Sequence, residues 1–104
     1  MDLQGEETIE SEEQPVHVLL VEDEPDLRST LRYNLKRAGY AVTDVGNGQD
    51  ALKALNAPGS AVEIVVSDVM MPVMDGHALV RAVRGDVATA ELPFMFLTAK
   101  GDTA

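Results

Sequence analysis

Glu63-Ile64-Val65-Val66-Ser67-Asp68-Val69-Met70-Met71-Pro72 runs from a β-branched core into a single acid and a proline. Its β-branched run predicts a buried strand that ends where Asp68 presents a single carboxylate. Met70-Met71-Pro72 and the Asp75-Gly76 pair then turn the chain towards a helix, with Asp75 placed to cap it. An acid at such a point is either a turn-former or a nucleophile and ligand at a sheet edge. The flanking sequence has to separate the two.

Upstream, Val16-His17-Val18-Leu19-Leu20-Val21 is an apolar run broken once, the pattern of a strand covered on both faces. It stops at Glu22-Asp23-Glu24, and Pro25 suits the first turn of a helix, where its missing N–H is not needed. Leu27, Leu31, Leu35 and Ala38 follow as an apolar stripe with Arg28, Arg32 and Lys36 off it, and Gly39 fits the left-handed position after the helix. Tyr40 to Val45 reads as a shorter, more polar strand towards an edge. Gly46-Asn47-Gly48 turns the chain, Asn47 and Asp50 resemble a cap, and Ala51, Leu52 and Leu55 give a short helical face that Pro58-Gly59-Ser60 breaks. Downstream, Leu79, Val80 and Val83 supply the face of a third helix ending at Gly85. Pro93 then opens a fourth strand, Phe94-Met95-Phe96-Leu97, ending at Thr98-Ala99-Lys100.

Strands alternating with helices predict a parallel sheet with right-handed crossovers in a three-layer αβα fold. Ligands of such sheets sit beyond the carboxyl ends of the strands. Those ends carry Glu22, Asp23, Asp68, Thr98 and Lys100, which converge if the first, third and fourth strands are neighbours.

Composition narrows the function classes. The 104 residues are 45% hydrophobic with no cysteine, which predicts one domain without disulfides or zinc–thiolate sites. No apolar run approaches the ~20 residues of a membrane span, and the acidic N-terminus is the reverse of a signal peptide, so a cytoplasmic location is expected. The net charge of −10 is uneven: Asp2, Glu6, Glu7, Glu10, Glu12 and Glu13 precede Pro15 without a base. Residues 1–15 are expected to form a disordered acidic tail. Without a basic patch, direct nucleic-acid contact is not expected.

Taken singly, these site residues have ordinary explanations. Glu22 to Glu24 suit a helix dipole, Asp68 suits a turn, Thr98 a strand and Lys100 a solvated loop. His17 is expected to be a satisfied or edge histidine, His77 a surface residue, and Met70, Met71 and Met74 packing groups. The joint placement carries more. Three converging carboxylates repel, and a hard divalent cation resolves the conflict; oxygen ligands at an exposed site favour Mg²⁺. A cation beside Asp68 would also neutralise an incoming phosphoryl group, so attack of this carboxylate on phosphorus makes chemical sense. Thr98 is placed to hydrogen-bond phosphoryl oxygens.

With these residues in hand, the chain resembles the response-regulator receiver domains of two-component signalling, a flavodoxin-like fold with strand order 2-1-3-4 over the part present. The resemblance rests on Leu19-Leu20-Val21-Glu22-Asp23-Glu24, on Val66 to Gly76, and on Leu97-Thr98-Ala99-Lys100. It implies that Asp68 accepts a phosphoryl group from a histidine kinase or phosphotransfer protein. It further implies Glu22, Asp23, Asp68 and the Met70 backbone carbonyl as Mg²⁺ ligands, Thr98 as the switch hydroxyl, and Lys100 as a modulator at the site mouth. The implied activity is signal carriage with slow self-dephosphorylation, upstream of an output domain or effector.

The family pattern breaks off after the fourth strand, so residues 16–104 are expected to be an incomplete receiver. The phosphate-pairing lysine of a fifth strand has no counterpart, and Lys100 is not that lysine. Val73 stands where many members have glycine. Phe94 to Leu97 is expected as an exposed apolar edge open to self-association. The alternative function is a phosphorylation-independent interaction module. A phosphohydrolase of the haloacid-dehalogenase kind would need an acid where Met70 stands, and Gly46-Asn47-Gly48 lacks the third glycine of a dinucleotide fingerprint.

Overall fold

A computed structural model describes residues 14–71 and 73–97 of the chain. The acidic segment 1–13, Pro72, Thr98 and Lys100 lie outside the described residues, so the expectations placed on them are not addressed by the fold. The elements alternate as anticipated: β1 (His17–Val21), α1 (Pro25–Arg37), β2 (Ala41–Val45), α2 (Gly48–Asn56), β3 (Ile64–Asp68), α3 (Gly76–Gly85) and β4 (Phe94–Leu97). The sheet has four strands in the order β2-β1-β3-β4. Every pairing is parallel, with Leu20 opposite Asp44 and Val66, and Asp68 opposite Leu97.

Local chemistry explains where each helix starts. Asn47 accepts from the Asp50 amide at 2.8 Å, and Asp75 accepts from the Ala78 amide at 2.9 Å, so both cap as their residue type favours. The cap of α1 is Glu24, whose Oε1 accepts from Leu27 N at 2.7 Å. Gly39 closes α1 at φ 104°, a backbone conformation open to glycine. At the start of β1, His17 Nε2 lies 2.8 Å from Thr43 Oγ1 of β2, which satisfies the histidine.

The two faces of the sheet are packed unequally. Leu19, Val21 and Val65 join Ala51, Leu55, Met71, Leu79 and Val83 in one cluster under α2 and α3. Each fully buried leucine there contributes about 1.5–3 kcal/mol. Val18 and Leu20, also buried, point to the opposite face, which α1 covers.

No residue of α1 is buried. This corrects the expected stripe: Leu27 is 37% exposed and Ala38 is exposed, whereas Arg28 shares the half-buried row with Leu31 and Leu35. Positions i, i+3 and i+7 fall on one side of a helix, so the inward row runs through an arginine. Met70 departs from expectation too, its side chain being 77% exposed, while Met71 is in the core and Met74 packs against it. β4 lies at the sheet edge with Met95 56% exposed.

Candidate functional site

The carboxyl ends of β1 and β3 are neighbours, and this brings Glu22, Asp23 and Asp68 together. One carboxylate oxygen from each lies within 4.8 Å of the others. β4 ends beside them, with Leu97 opposite Asp68.

The three acids are not equivalent. Glu22 extends β1 by donating its amide to Val45 O at 3.1 Å, and this carries its side chain inward to 2% exposure. Its Oε2 accepts from Glu24 N at 3.0 Å, while Oε1 is buried with no hydrogen-bond partner among the described residues. Burial is the largest cause pushing the Glu22 carboxyl above its ordinary value; the charges of Asp68 and Asp23 push the same way, and the Glu24 amide opposes them. Asp23 and Asp68 are half-buried at the surface of the cluster.

Asp68 is held by a tight turn. Its Oδ1 accepts weakly from Met70 N at 3.4 Å, and Ser67 Oγ donates to its carbonyl at 2.8 Å. Gly76 N donates to Val69 O at 2.8 Å, which brings the start of α3 against the strand end. A Cβ at Gly76 would lie 2.5 Å from Asp68 O and 2.8 Å from Phe96 Cε1, so this close approach requires glycine. Val73, in the same turn, has φ 71° and is 85% exposed.

Arg28 reaches the site from α1. Its NH1 donates to the Glu22 carbonyl at 2.9 Å and its Nε pairs with Asp44 at 3.3 Å. Sequence reasoning placed Arg28 off the inward face; the signal that could have found it is its spacing from Leu31 and Leu35.

The donor set suits a hard divalent cation. Among the described residues, a buried carboxylate with one unpartnered oxygen faces two further carboxylates, and an oxygen-seeking cation would satisfy that charge. No helix among the described residues is long and apolar enough to cross a membrane.

A family model described as the response regulator receiver domain matches residues 18–104. Among curated proteins, the chain is 40% identical over 84 residues to the transcriptional activator protein PfeR of Pseudomonas aeruginosa, covering 81% of this chain and 26% of that protein. It is 36% identical over 91 residues to the response regulator Rre1 of Synechocystis, covering 86% and 38%. It is also 39% identical over 87 residues to the sensor kinase CckA of Brucella abortus, covering 84% and 9%. The chain thus spans a minor part of each of these relatives. Among solved structures, the N-terminal domain of a response regulator receiver protein from Methanoculleus marisnigri superposes with TM-score 0.75 at 34% identity, covering 81% of this chain and 67% of that one. The chemotaxis response regulator CheY4 of Vibrio cholerae gives 0.74 at 34% identity, covering 86% and 74%.

Proposed function

The chain belongs to the response regulator receiver domain family of two-component systems, and on that premise we propose that it accepts a phosphoryl group on Asp68. The observation that carries this reading is the convergence of Glu22, Asp23 and Asp68, with one buried Glu22 oxygen left without a partner among the described residues. Glu22, Asp23, Asp68 and the Met70 carbonyl would hold Mg²⁺, which when bound neutralises charge on phosphoryl oxygens and on the carboxylates.

The residues themselves supply the rest. An Asp68 carboxylate oxygen attacks phosphorus of a donor phosphohistidine, the P–N bond breaks, and its electron pair returns to the imidazole. The product is an acyl phosphate that water later hydrolyses. The exposure of Asp68 at the strand end suits an in-line approach by a partner's side chain. Thr98 would hydrogen-bond the phosphoryl oxygens and report their presence, and Lys100 would tune access at the mouth. The added charge of about −1.5 to −2 in an acidic site separates two loop states electrostatically.

On this reading the partners are a sensor histidine kinase or phosphotransfer protein and an output domain or effector. The apolar β4 edge supports self-association as a further property. The chain is a signal carrier, with catalysis limited to slow Mg²⁺-dependent loss of its own phosphoryl group.

The test is intact mass after incubation with acetyl phosphate and Mg²⁺. One added phosphoryl group, removed by chelating the cation and by Asp68→Asn, is the expected result. A folded chain that gains nothing would instead favour the phosphorylation-independent interaction module.

A further inference from the structure

Arg28 is the one charged side chain in the inward row of α1, and its guanidinium is engaged on both sides. NH1 donates to the Glu22 main-chain carbonyl at 2.9 Å, and Nε pairs with Asp44 of β2 at 3.3 Å. Gly46 makes room for it: a Cβ there would lie 3.0 Å from Arg28 NH1. Three segments therefore meet at one planar group: the β1–α1 loop, the end of β2, and the second turn of α1.

We infer that Arg28 is a positioning residue that clamps the Glu22–Asp23 loop to the sheet and so sets the acid pair for a cation. It does not act by neutralising the acids. Its salt-bridge partner is Asp44, and its bond to Glu22 goes to the main chain. The same loop is held from inside by Glu24 N donating to Glu22 Oε2 at 3.0 Å. Releasing the carbonyl frees the peptide that carries both carboxylates, and cations of strict geometry are sensitive to such support. A guanidinium suits this role better than an ammonium, because its rigid fork can serve a carbonyl and a carboxylate at once.

Arg32 provides an internal control. Its NH1 also reaches Asp44, at 3.5 Å, but it has no bond to the Glu22 loop among the described residues.

The inference rests on the cation site proposed above, and the experiment keeps the two apart. Mg²⁺ affinity of the full chain is measured by calorimetry for the parent, Arg28→Ala, Arg28→Lys, Asp44→Asn and Arg32→Ala, with amide exchange at Glu24 followed in metal-free protein. Arg28→Ala should bind Mg²⁺ about 10-fold more weakly. Arg28→Lys should recover less than half of that loss. Asp44→Asn should weaken binding in the same direction by less, and Arg32→Ala should leave it unchanged. Glu24 amide exchange should accelerate in Arg28→Ala without any cation.

Parent-like affinity in folded Arg28→Ala, or an equal loss in Arg32→Ala, overturns the inference. If Arg28→Ala does not fold, Arg28→Lys and Asp44→Asn carry the same comparison. A parent that binds no Mg²⁺ refutes the cation site, and the positioning role towards a cation falls with it. The clamp on the loop is then decided by the Glu24 exchange alone.

Discussion

Replacing Val73 by glycine should stabilise the protein. Val73 has φ 71°, in the left-handed region where a β-branched residue is an outlier. Met71 is buried in the core, and Met74 packs so closely on Gly48 that a Cβ there would meet its sulfur at 2.8 Å. Met71 and Met74 are thus both anchored, and Val73 between them has a φ that valine resists. The left-handed conformation costs an L-residue about 1–2 kcal/mol. The side chain is 85% exposed, so removing it loses little burial. Glycine brings back about 0.5–1 kcal/mol of cost through its freer unfolded chain. The net gain is about 0.5–1 kcal/mol, a rise in Tm of roughly 3–6 °C for a domain of this size. Thermal and urea melts of parent, Val73→Gly and Val73→Ala decide it, with alanine expected to recover less than half of the gain because its φ cost remains. Gly39→Ala is the mirror case: φ is 104° and none of the described residues would touch the new Cβ, so a loss there is conformational. A Val73→Gly protein that melts at or below the parent refutes the reasoning, as would alanine matching glycine.

Other consequences follow from the same geometry. Because the Glu22 carboxyl is raised in the folded chain, the folded state binds that proton more tightly than the unfolded state does. Its contribution to metal-free stability is therefore fully present below the ordinary value of 4.5 and is lost as pH rises through the raised value. Urea midpoints across that window should fall in the parent relative to Glu22→Gln, and saturating Mg²⁺ should reverse the trend; parallel curves for the two proteins would contradict the assignment. Gly76→Ala forces a Cβ to within 2.5 Å of Asp68 O, and urea unfolding should show a loss of about 1–3 kcal/mol. A loss below about 0.5 kcal/mol would mean that the approach of α3 to the strand end is not tight.

The alternation of apolar runs with capped amphipathic stretches made a parallel sheet legible from the sequence, whereas the strand order, and with it the convergence of Glu22, Asp23 and Asp68, came with the resemblance to receiver domains. Asn47, Asp75 and Gly39 could be placed because their side chains, or the lack of one, have narrow local uses. Glu24 could not, since glutamate is a poor signal for a cap and Glu22 to Glu24 look alike in a row. The division of labour between Glu22 and Asp23 was hidden for a related reason. Which of two adjacent acids goes inward depends on where β1 stops pairing with β2, and that is a tertiary fact. Arg28 was misplaced because hydrophobic periodicity counts an arginine as outward, although its stem can lie along a sheet while its head finds a carbonyl and a carboxylate. Val73 did not read as strain from its residue type, which does not favour a positive φ; the glycine that many members of the family carry there was the available signal.

The shallow seating of α1 has a thermodynamic consequence of its own. A helix with no buried residue opens at a lower free energy than a core built from Leu19, Val65 and Leu79. By that measure α1, like β2 and β4, which also have no buried residue, belongs to the parts of the fold that open below the core, and the loop bearing Glu22 and Asp23 joins it to β1. A ligand that binds those two acids only with the loop in place raises the free energy of opening α1, by an amount set by its concentration relative to its Kd. Affinity at the acids and protection of the α1 amides are then two readouts of one equilibrium.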